Sequence, residues 1–109
     1  MIVYMILNEA TDMCYVGKTT GSLDDRWREH MDDASGGSMW SRLHKALREW
    51  PDMTTWTRVI LQCCHTEEEL SVAEGNWIEA LCTRDPNVGY NTAVVHTAEE
   101  RLAKELIQL

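Results

Sequence analysis

The chain has 109 residues, with 10 Lys and Arg against 18 Asp and Glu and a formal net charge of −8. That length suits one domain with its own core, and the acidic balance argues against broad electrostatic attachment to a polyanion. Four cysteines at 14, 63, 64 and 82 form no CxxC, which excludes a zinc knuckle and suits reduced thiols in a cytoplasmic or other reducing compartment. No apolar run is long enough to cross a bilayer and no basic-then-apolar leader opens the sequence, so no membrane partner is expected.

Residues 2–7 are apolar and β-prone, 8–12 carry turn residues, and 13–18 are β-prone again, which predicts a hairpin. Ser22 is a predicted N-cap, with Asp24 and Asp25 in the first turn of a helix to about residue 33. The small-residue stretch 34–38 breaks the pattern. A second helix is expected over 39–50, with Trp40, Leu43, Leu47 and Trp50 as its apolar face and Pro51 as its stop. Residues 56–63 read as a third strand. Thr66 with Glu69 forms a capping box opening a helix to about residue 82. Thr97 with Glu100 predicts a last helix over 97–109, with Leu102, Leu106 and Leu109 on one side. The expected fold is a small α+β sandwich: a three-stranded antiparallel sheet flanked by helices, in the order β-β-α-α-β-α, with an extra C-terminal helix.

One residue disturbs this pattern. Glu74 falls among Leu70, Trp77, Ile78 and Leu81, the buried stripe of its helix. A carboxylate facing inward costs several kcal/mol unless a cation or metal receives it. On the first helix Arg26 and His30 stand one turn apart, and each hairpin strand holds a tyrosine, Tyr4 and Tyr15. If these five converge, they make a metal-assisted phosphodiester site.

The arrangement resembles the GIY-YIG nuclease superfamily. Ile2-Val3-Tyr4 is similar to the first motif, with Ile and Val where the family name has Gly and Ile, and Tyr15-Val16-Gly17 is similar to the second. Arg26 to His30, Glu74 to Ile78 and Gly89-Tyr90-Asn91 resemble the remaining three elements, in the family's order. The resemblance runs over residues 1–93, leaving 94–109 as a helical extension of the same domain. It implies hydrolytic cleavage of DNA with a divalent metal, magnesium or manganese, giving a 5′-phosphate and a 3′-hydroxyl.

By that resemblance Glu74 holds the metal, as a single carboxylate with waters and phosphate oxygens suits Mg²⁺. On periodicity alone it is a boundary residue that snorkels or pairs with an arginine. Arg26 offsets charge at phosphorus with a guanidinium fork. Tyr4 and Tyr15 orient or deprotonate the attacking water, although a phenol is a poor base unless a cation assists. His30 relays a proton or bonds a tyrosine hydroxyl, and Asn91 shapes the site. His44, His65 and His96 receive no role. Lys18, Arg28 and the row Arg42, Lys45 and Arg48 are candidate contacts to nucleic-acid phosphates, against the common alternative of a solvated charged face. The acidity leaves three expectations for DNA engagement: a one-sided charge distribution, a protein partner that delivers DNA and docks on helix 97–109, or weak salt-sensitive binding. A homodimer through the Leu-rich helix is a further expectation. The rival from a different class is a non-catalytic module of the same fold, acting in protein interaction or as an acidic DNA mimic.

Overall fold

The structure, a computed structural model, describes residues 1–36 and 41–91. The hairpin is formed by β1 (Ile2–Asn8) and β2 (Met13–Thr19), antiparallel from Ile2 opposite Thr19 to Asn8 opposite Met13. Its turn is local chemistry: the Asn8 carbonyl accepts from the amides of Thr11 and Asp12, and Asp12 takes a left-handed φ of 58°, a conformation that Asp tolerates better than most side chains. β3 (Trp56–Cys63) pairs antiparallel on the other side of β1, with a register shift between Val3 and Tyr4. The sheet order is β2-β1-β3, so β1 is central and its alternation separates two cores.

One face of the sheet takes Tyr4 and Ile6 with Leu43, Ala46, Leu47, Trp56 and Tyr90. It is covered by α1 (Leu23–Ser35) and α2 (Arg42–Glu49). The other face takes Val3 and Val16 with Cys64, Leu70, Ala73 and Ile78, beneath α3 (Glu67–Leu81), which runs chiefly along β2. Each helix starts where a side chain captures a free amide: Ser22 Oγ accepts from Asp25, Ser41 Oγ from His44 and Thr66 Oγ1 from Glu69. Glu69 completes its end of the box on the His65 amide.

The antiparallel sheet and the β-β-α-α-β-α order are those expected. One boundary differs. The second helix begins at Arg42 rather than at residue 39, because Ser41 is extended and supplies the cap. Its buried face is accordingly Leu43, His44, Ala46 and Leu47. Trp50 has left the helix and is 39% exposed, its carbonyl accepting from Trp56 Nε1 at 2.9 Å. Trp40 and the helix expected over 97–109 lie outside the described residues. Among the described residues, no helix is long and apolar enough to cross a membrane.

Candidate active site

Strand alternation builds the first half of the site. Tyr15 and Gly17 are two apart and share a face, and the pairing sets Gly17 opposite Tyr4. The missing side chain at 17 is what admits the Tyr4 phenol. A Cβ there would stand 2.5 Å from Tyr4 Cζ and 2.8 Å from Tyr15 Cε1, closer than atoms can pack. The two phenol rings therefore sit together, with centroids 6.3 Å apart.

Helix periodicity builds the second half. His30 is 2% exposed and packs against both tyrosines, its ring edge-on to Tyr15 at 5.4 Å and to Tyr4 at 6.0 Å. Its Nε2 is 2.7 Å from Tyr4 Oη, and its Nδ1 is 3.1 Å from Nε2 of His44. Both ring nitrogens are thus engaged. One turn earlier, Arg26 Nη1 donates to Glu29 Oε2 at 2.7 Å.

The electrostatics follow from burial. His30 is held well below the usual imidazole range, at about 3, by desolvation first and then by Arg26 and His44. His44 is pushed down mainly by burial, with Asp33 opposing. Tyr4 and Tyr15 are pushed up by burial. The Arg26 guanidinium works against that rise at both phenols. Burial also works against the charge of Arg26, but hydrogen bonding to Glu29 and the two tyrosines outweigh it. Glu74, half-buried on α3 beside Ala73, is raised by desolvation, and Lys18 and Arg26 oppose the rise. Its field reaches both tyrosines. Among the described residues, Glu74 has those two cations as electrostatic partners and no hydrogen bond or ion pair. Its carboxylate is therefore open to an added cation. One carboxylate with oxygen ligands from water and phosphate fits a hard divalent ion, although no cluster of three or more His, Cys, Asp or Glu among the described residues forms a metal cage.

Tyr4, Tyr15, Arg26, His30 and Glu74 thus share one electrostatic neighbourhood. Asn91 joins it from behind the strand. Its Oδ1 accepts from Val16 N at 2.9 Å and its Nδ2 donates to Val16 O at 2.8 Å. It secures the β2 edge next to Tyr15, a positioning role. Close approach of the 89–91 segment requires Gly89, where a Cβ would meet Thr83 Cα and O at 2.5 Å. Lys18 Nζ donates to Ser71 Oγ at 2.8 Å. It lines a groove of about 440 Å³ with Thr20, Arg26, Glu29, Glu67 and Ser71.

The basic row is more tethered than its sequence suggests. Arg42 donates to the carbonyls of Arg84 and Asn91, and Arg48 donates to the Ala34 carbonyl at 3.2 Å. Lys45 stands 3.8 Å from Glu49, and Arg28 stands 3.6 Å from Asp25, both on open surface. Sequence reasoning missed His44. Its signal was its place one residue after Leu43 and three before Leu47, on the buried face of α2.

A family model described as GIY-YIG catalytic domain matches residues 1–91. Among solved structures, the catalytic domain of homing endonuclease I-TevI is similar to this chain at a TM-score of 0.70 and 23% identity, over 84% of this chain and 97% of that one. A mutant form of the catalytic domain of intron endonuclease I-TevI is similar at a TM-score of 0.72 and 24% identity, over 84% and 91% of the two chains. No curated protein matches the chain.

Proposed function

From the premise that the chain belongs to the GIY-YIG catalytic-domain family, we propose that it is an endonuclease that hydrolyses DNA phosphodiester bonds. The observation that carries this reading is the half-buried Glu74 carboxylate, without hydrogen bond or ion pair among the described residues and in the field of Lys18 and Arg26. Such a group costs stability and matches a divalent metal, magnesium or manganese. When bound, that metal supplies Lewis-acid polarisation of the phosphate.

The protein's own residues divide the remaining work. Arg26 exchanges its Glu29 partner for the non-bridging phosphate oxygens and offsets the charge that builds as water attacks in line. Tyr4 takes the proton of the attacking water and Tyr15 orients it, with His30 as the hydrogen-bonding partner of Tyr4. Asn91 keeps the Tyr15 strand in place. The groove beside Lys18 and Arg26 receives the backbone, and the exposed Arg28 and Lys45 contact flanking phosphates. Arg42 and Arg48 act chiefly through the carbonyls they hold. The net charge of −8 is the feature on the side of the non-catalytic, DNA-mimicking alternative, and the retained cluster argues against it.

The test is supercoiled plasmid with purified protein and Mg²⁺ at low salt, beside Glu74→Gln and an EDTA control. We expect nicking or linearisation that EDTA abolishes and that Glu74→Gln lowers on the order of 10³-fold. Folded protein that leaves plasmid intact with both Mg²⁺ and Mn²⁺ would overturn the reading.

A further inference from the structure

The hydrogen bonding at His30 does not end at Tyr4. His30 Nδ1 lies 3.1 Å from His44 Nε2, and the two rings are 5.4 Å apart. His44 is 9% exposed, and its Nδ1 is buried with no hydrogen-bond partner among the described residues. Three titratable groups therefore form one chain, Tyr4–His30–His44, that ends at this buried, unpartnered nitrogen. Conformational packing alone gives no reason for two imidazoles here, since an orphaned buried nitrogen costs about 1–3 kcal/mol.

We propose that His44 is a positioning residue that completes a proton relay from Tyr4 through His30, a role resting on the nuclease reading above. The relay has two states. In the first, the Tyr4 hydroxyl donates to His30 Nε2, His30 Nδ1–H donates to His44 Nε2, and His44 carries its proton on Nδ1. In the second, two protons have each moved one place. The Tyr4 O–H bond breaks as an N–H forms at His30 Nε2. The His30 Nδ1–H bond breaks as an N–H forms at His44 Nε2. The His44 Nδ1 proton stays in place, so His44 becomes an imidazolium. Tyr4 is left as a phenolate that accepts from His30 and faces Arg26, His30 is still neutral, and the positive charge rests on His44 in the field of Asp33.

Keeping His30 neutral is the reason for a second histidine. His30 cannot hold the Tyr4 proton as an imidazolium, because burial and Arg26 keep it neutral down to about pH 3. With His44 behind it, His30 takes one proton and gives up another. The groups acting on His44 are Arg26 and Asp33 from α1, Arg48 from its own helix, and His30. The Asp33 carboxylate opposes the two cations and favours a proton at the His44 end.

The decisive variant is His44→Gln. A carboxamide oxygen still accepts from His30 Nδ1–H, so it preserves the His30 tautomer but cannot take the proton. We expect kcat on plasmid DNA to fall about 10²-fold near neutral pH, with KM essentially unchanged. We also expect the variant's rate to climb about tenfold per pH unit where wild type has levelled off, because Tyr4 must then ionise unaided. A through-hydrogen-bond coupling between His30 Nδ1 and His44 Nε2 in ¹⁵N spectra of the wild type is the matching signature, independent of cleavage. If His44→Gln matches wild type in kcat at every pH, or if wild type shows no coupling, the relay is wrong while the nuclease reading stands. A folded wild type that cuts nothing with any divalent metal removes both.

Discussion

On the α3 side of the sheet, Val3, Val16, Leu70, Ala73 and Ile78 make an aliphatic layer. On the α1–α2 side, the same two strands present Tyr4 and Tyr15, and the helices answer with His30, His44 and Arg26. Only the pleat separates these chemistries, since Val3 and Tyr4 are adjacent. The aliphatic face gains free energy by leaving water and asks little of geometry. The polar face holds titratable groups in forms that burial dictates, and its bonds depend on tenths of an ångström. Both faces bury apolar side chains, Ile6, Leu43, Leu47 and Trp56 on the α1–α2 side included, but only the α1–α2 face also carries the titratable cluster. Glu74 stands at the border of the two.

That contrast is open to attack. The largest effect on folding should come from Leu70→Ala, which empties the aliphatic layer and should lower unfolding free energy by about 2–5 kcal/mol. Urea denaturation measures it, and the fraction still folded should cut DNA as wild type does. Parallel losses of folding and of specific activity would show that the faces are not separable. Gly17→Ala should follow, at about 1–3 kcal/mol from the clash with both tyrosines, and its cleavage should fall further than its stability. An alanine at 17 with normal turnover would break the account of how the phenols come together.

Acid has a smaller, graded effect on stability. His30 has a folded-state pKa of about 3 against an ordinary 6.5, so between those values the unfolded chain binds the extra proton. Stability is complete above about pH 6.5 and falls as pH drops toward 3, by at most about 1.4 kcal/mol per pH unit from this group. Thermal melts from pH 7 to pH 5 should show it, and a His30→Gln variant should flatten the slope. Glu74 has the opposite sign. Its folded pKa is raised, so above the ordinary carboxylate range its charge subtracts from stability. The inactive Glu74→Gln should melt at a slightly higher temperature than wild type, and a lower melting point would contradict the border placement.

Much of this was legible in the sequence because it is local. Ser22 and Thr66 cap their helices with the partners expected three residues on. Arg26 and His30 share a face because they are one turn apart. The inward pull on Glu74 follows from its neighbours Leu70 and Ile78. What escaped depends on tertiary placement. The apolar face expected from Trp40, Leu43, Leu47 and Trp50 is narrower than the one α2 buries, which also takes in His44 and Ala46. The tethers of Arg42 cross to Arg84 and Asn91, partners that no helical period reveals.

The clamp at the β2 edge has a consequence in time. Gly89 bridges Cys14 in parallel, Tyr90 N donates to Cys14 O, and Asn91 holds Val16 from 75 positions along the chain. Every ionisable member of the cluster has been synthesised by residue 74, yet the outer edge of the strand bearing Tyr15, paired with β1 on its other side, is not secured until residues 89–91 arrive. A ribosome-bound chain that stops short of it would carry the chemistry with a loose edge. Synthesis would thus supply a safety catch, leaving one edge of the proposed nuclease surface unsecured until residues 89–91 are made.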